Sequence, residues 1–160
     1  MMDPEVILDP LDFLRRLHDR EVRYLLVGRQ ALVLLGAPLL SLDWNFYLSP
    51  EREDLDDVLS IARDLGLEVS VRSPARSPIF SLLSTTLKLD FFRARRYSTK
   101  DGETFTFEEM FGRRRTIPVD DFAVSVPAIE DLIRTKRVRD LPKDREDIKY
   151  LQVLLERGEA

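Results

Sequence analysis

Apolar residues along the chain recur with two periods, and the switches between them mark out the elements. Leu11, Phe13, Leu14 and Leu17 are spaced for one side of a helix. Asp9 precedes them as a cap, and Pro10 suits a first helical position. Residues 22–27, "VRYLLV", read as a buried strand, and "RQALVLLG" as a short helix stopped at Gly36. "SLDWNFYL" alternates. Leu42, Trp44, Phe46 and Leu48 face one way, Asp43, Asn45 and Tyr47 the other. Ser49 and Pro50 open a third helix lined by Leu55, Val58, Leu59, Ala62 and Leu65 and closed at Gly66.

Beyond that helix the strand period returns. "LEVSVR" reads as a strand and "SPARSP" as a loop, and "IFSLLST" and "TLKLDFF" as two strands or one bent ribbon. Residues 100–102 are turn-like. "FEEMFGRRRTIPV" predicts a short helix and a strand, and "FAVSV" a last strand. Two helices follow, with Pro127 and Pro142 in their first turns. Ile129, Leu132 and Ile133 line one; Ile148, Leu151 and Leu155 line the other. The order predicts an α+β fold: a mixed sheet with flanking helices, as one domain over residues 1–160.

Composition narrows the chemistry. At 44% apolar and 34% charged the chain has the make-up of a folded domain rather than a disordered one. A net charge of -4 argues against a global basic field for nucleic acid. The absence of cysteine excludes disulfides and thiolate zinc sites and fits a reducing compartment. The single histidine, His18, excludes multi-histidine metal sites and leaves little room for a Ser-His-Asp triad; a surface or half-buried position near the end of the first helix is expected for it. No apolar run reaches the roughly 20 residues of a membrane helix. The acidic start "MMDPEVILDP" lacks a secretory pattern. The expectation is a cytoplasmic protein with no membrane partner.

Candidate chemistry gathers on two strands. Asp43 and Asn45, two residues apart, can offer oxygen ligands on one face to a hard cation such as Mg²⁺. Asp90 in "TLKLDFF" joins them if its strand is a neighbour, the layout of metal-assisted phosphoryl or nucleotidyl transfer. Gly28, at the start of the second helix, would let a phosphate approach backbone amides. Trp44 alternates with Leu42 and Phe46 and is expected in the core. Arg93, Arg95 and Arg96, with the arginines at 113–115, offer a candidate RNA contact or a solvated charged face.

These blocks carry a resemblance. "YLLVGRQALVLLGAPLLSLDWNFYLSPER" resembles the opening motif of the nucleotidyltransferase superfamily, in particular its small bacterial branch of AbiEii-type toxins and MNT-like proteins. That motif reads strand, a glycine pair, helix, then Thr-x-Asp-x-Asp. "KLDFF" is similar to the strand of the third carboxylate. "VPAIEDLIRTKRVRDLPKDREDIKYLQVLL" is similar to the C-terminal helices, where Lys136, Lys143, Asp144 and Asp147 match.

The resemblance implies a Mg²⁺-dependent transfer of NMP from an NTP to an acceptor, which would be RNA, a protein or a small molecule. It also implies a toxin–antitoxin setting. In that reading Asp43, Asn45 and Asp90 are metal ligands and Asp43 and Asp90 the catalytic carboxylates. Gly28, Arg29, Ser41 and Lys88 line the nucleotide. The departures matter. Arg29 replaces the second small residue, Leu39 stands where relatives place a basic residue, and Asn45 replaces the second Asp. Asn45 keeps an oxygen but loses a charge, and Lys88 or Arg29 is a candidate built-in cation in place of a metal. The expectation is a site with weakened or lost catalysis; the alternative is a non-catalytic module binding nucleotide, RNA or a protein partner.

Overall fold

In the computed structural model, which describes residues 8–158, the α+β reading holds. Helix α1 (Pro10–Asp19) begins where Asp9 accepts the Leu11 amide at 2.9 Å. Strand β1 (Tyr24–Val27) runs straight into α2 (Gly28–Leu34), and β2 (Trp44–Leu48) follows after a loop. Helix α3 spans Arg52–Asp64. It starts three residues after Ser49 because the buried Ser49 hydroxyl accepts the Glu51 amide and holds residues 49–51 as a turn.

Strands β3 (Glu68–Val69), β4 (Ile79–Leu83) and β5 (Lys88–Arg93) complete the central sheet. Its order is β1-β2-β5-β4-β3, with β2 and β5 parallel and the other neighbours antiparallel. "IFSLLST" and "TLKLDFF" are therefore two separate strands. Of "LEVSVR" only two residues pair, at the edge. A hairpin of β6 (Arg96–Ser98) and β7 (Thr104–Thr106) brackets the expected turn. Its strands are three residues each, too short to display a period. Helix α4 (Phe107–Gly112) leads to a second hairpin, β8 (Arg115–Val119) with β9 (Phe122–Val126). Helices α5 (Ile129–Arg139) and α6 (Pro142–Glu156) pack on one another. Pro142 is at the first position of α6, whereas Pro127 precedes the Ala128 cap of α5.

The sheet has two unlike faces. On one, Phe91 is stacked between Phe46 (4.8 Å) and Phe80 (5.1 Å), with Phe13 of α1 edge-on to it. All four are essentially dry and form the centre of the core. On the other face Asn45 and Tyr47 of β2 lie beside Asp90 and Phe92 of β5. Tyr97 of β6 stacks on Tyr47 at 4.5 Å, and α5 and α6 close over this side. Leu42 does not join the core face. β2 begins at Trp44, and Leu42 is 95% exposed in the loop before it. Trp44 is half-buried against the core. Among the described residues no helix is long and apolar enough to cross a membrane.

Candidate functional site

The site is built where α2 leaves β1. Val27 is the register partner of Asn45, and Asn45 is the partner of Asp90 on the parallel neighbour. Ser81 on β4 partners Asp90 from its other side and donates its hydroxyl to the Asp90 carboxylate at 2.5 Å. Gly28, Asn45, Asp90 and Ser81 thus form a polar row across three strands. Gly28 has φ +69°, in the left-handed region. A Cβ there would lie 2.9 Å from Asn45 Nδ2. The missing side chain leaves room for the end of the Asn45 side chain. Among the described residues the Asn45 carboxamide has no hydrogen-bond partner.

A cavity of about 150 Å³ opens at the Gly28–Asn45 end of this row, and Asp90, Ser81, Asp43, Lys88 and Lys143 lie outside its lining. Its sheet side is Asn45, Tyr47 and Phe92, with Tyr97; its far wall is Thr135, Lys136 and Arg139 of α5 and Asp144 of α6. The wall is held by ion pairs between the two last helices. Lys136 donates to Asp147 at 2.7 Å, both side chains buried. Arg139 grips Asp144 with two 3.0 Å bonds, and Asp144 also accepts the Leu141 amide at 3.0 Å. Burial pushes the Asp144 carboxyl up. The Arg139 guanidinium, the Leu141 amide and Lys136 outweigh burial and hold it below its ordinary 3.8. Burial also pushes the Tyr47 phenol above its ordinary range, so Tyr47 offers the cavity a neutral ring.

The remaining residues singled out from sequence fall in three places. Asp43 precedes β2 and is 68% exposed; Lys143 of α6 approaches its carboxylate at 3.8 Å. Lys88 lies 3.9 Å from Asp90. Arg29 turns away from these carboxylates and bonds Asp147 at 3.3 Å, because α6 sets a buried acid beside it. Ser41 accepts the Asp43 amide at 3.1 Å, and its carbonyl accepts Gln30 Nε2 at 2.6 Å. It orders the loop. His18 is exposed beside Phe122 on α1, outside the cavity lining. Arg93 donates to the Pro50 carbonyl, Arg95 to Glu51, Arg113 to Asp131, and Arg114 lies over Phe111. Lys143 stands one hundred positions from Asp43, and its place in the C-terminal motif was the one available signal of their contact.

No family model and no curated protein sequence matches the chain. Solved structures do. The putative nucleotidyltransferase TM1012 from Thermotoga maritima superposes with a TM-score of 0.60 at 17% identity, over 97% of this chain and 99% of that one. The lincosamide antibiotic adenylyltransferase LnuA, lincomycin-bound, gives 0.63 at 18% identity, over 89% and 94%. ANT(2")-Ia in complex with adenylyl-2"-tobramycin gives 0.58 at 14%, over 94% and 97%.

The fold is the nucleotidyltransferase fold.

That fold implies a divalent metal, and the donor set tests the fit. Asp43, Asn45 and Asp90 offer two carboxylates and a neutral amide, and each carboxylate has a lysine beside it. Among the described residues no three His, Cys, Asp or Glu side chains gather as a metal cage. Two Mg²⁺ ions bring four positive charges, so this nucleotidyltransferase-fold site does not fit a two-metal centre.

Proposed function

We propose that the chain binds a nucleoside triphosphate in the cavity beside Gly28 and Asn45, as a relative of the small bacterial AbiEii-like and MNT-like nucleotidyltransferases in which Mg²⁺-dependent NMP transfer is weakened or lost. The observation that carries this reading is the Asn45 carboxamide. It lies between Gly28 and Asp90, lines the cavity and is unbonded to protein among the described residues. It is free to hydrogen-bond a ligand, yet it brings none of the charge that a metal-binding carboxylate would. The rings of Tyr47, Phe92 and Tyr97 offer an apolar surface to a base, and Lys136 and Arg139 line the opposite side. Asp43 and Asp90 remain as the acids of a reduced site.

A second reading, a binding module for a protein partner, is favoured by Leu40 and Leu42. They stand 96% and 95% exposed on the segment that leads into Asp43. RNA finds less support, because Arg93, Arg95, Arg113 and Arg114 are engaged within the protein.

The test is transfer of label from each α-labelled NTP with Mg²⁺ or Mn²⁺, to RNA, protein and small-molecule acceptors. The parent is expected to transfer little or none, and Asn45→Asp to transfer more. A parent as active as the variant contradicts the weakened site.

A further inference from the structure

Asp43 and Lys88 directly precede the Trp44–Leu89 pair on parallel strands, and Asn45 and Asp90 are the next pair along. Side chains two apart on a strand share a face. Lys88 and Asp90 share a face of β5 beside Asn45, and Asp43 stands in the loop just ahead of β2, so an acid and a base precede an amide and an acid in a polar patch that meets the cavity at Asn45. Lys143 enters from the first turn of α6, 3.8 Å from Asp43. The two carboxylates and two ammonium groups cancel, and Asn45 adds nothing. A patch with Asp at position 45 and neither lysine would carry three negative charges, the setting that draws in divalent cations.

We propose that Lys88 and Lys143 supply within the site the positive charge that divalent ions supply elsewhere on this fold, so that the polyphosphate of a nucleotide binds here without Mg²⁺. This rests on the reading of the cavity as a nucleotide site. Neither lysine is spent on its partner. The contacts of 3.8 Å and 3.9 Å lie beyond hydrogen-bond length, and the side chains are 47% and 65% exposed. Each ammonium keeps donors for phosphate oxygens. A dication placed between Asp43 and Asp90 would meet two like charges instead. Asn45 serves the same end, since an amide does not repel an anionic ligand as a second carboxylate would.

Equilibrium titration of the full chain with ATP, in EDTA and again in MgCl₂, tests this. ATP is expected to bind in EDTA, with Mg²⁺ leaving the affinity unchanged or lower. Lys88→Ala and Lys143→Ala should each weaken binding in EDTA by about fivefold to tenfold. Lys149→Ala, exposed further along α6 and in neither of the contacts with Asp43 and Asp90, should not. All three sites are exposed, so the folds of the variants should match the parent by circular dichroism. Binding that requires Mg²⁺, or lysine variants that bind ATP like the parent, overturns the inference and leaves the nucleotide reading standing. No ATP binding under either condition overturns both.

Discussion

Gly28 and Asn45 share one small volume, and each limits what the other can be. Alanine at position 28 meets both a φ of +69° and Asn45 Nδ2 at 2.9 Å. We expect Gly28→Ala to destabilise the protein by about 1–2 kcal/mol. Part of that loss should return in the Gly28→Ala, Asn45→Ala double variant, where the clash is gone and the backbone strain remains. Denaturant unfolding of both reads the difference. Equal losses in the two backgrounds would show that Asn45 is not what Gly28 accommodates. That Asn45 and Tyr47 share a face was legible in the sequence, because strand alternation fixes it, whereas Asp43 lies ahead of β2 and outside that alternation. Arg29 was read less well. It stands beside the phosphate-like turn in sequence, but its partner is Asp147 on α6, and no local pattern reports a partner so distant.

The α5–α6 pair turns a sheet face into a cavity, and its ion pairs set how firmly. Lys136 and Asp147 are both buried, so Lys136→Ala leaves a buried acid with only Arg29 and should cost roughly 2–4 kcal/mol. Asp144 gives a pH test. Its carboxyl is held below its ordinary 3.8, so its contribution is complete above about pH 4 and fades as pH falls through the depressed value. Asp144→Asn should therefore be less stable than the parent at neutral pH, and urea unfolding should show that gap closing on acidification. A gap constant with pH would mean that the carboxylate charge is not what secures α6. Elements were legible where the period was long, as in α3 and α6. The β6–β7 hairpin was not, because strands of three residues are too short to display alternation. The exposure of Leu42 follows from where β2 starts, which alternation alone does not reveal.

At the scale of the molecule, one sheet divides a dry aromatic core from a polar cavity. Phe91 is the hub of the dry side, stacked between Phe46 and Phe80, and Phe91→Ala should cost about 3–5 kcal/mol. The fold class could be argued from the order of elements, and the superposition on nucleotidyltransferases agrees with it. The charge balance of the cavity could not, because Lys143 joins Asp43 only when the last helix folds back across the first strands. If the polar side of the sheet is a nucleotide site, amide chemical shifts followed through an ATP titration will map it. Saturable shifts are expected, concentrated at Gly28, Asn45, Thr135 and Arg139. Shifts confined to other surfaces, or none at saturating ATP, would contradict it.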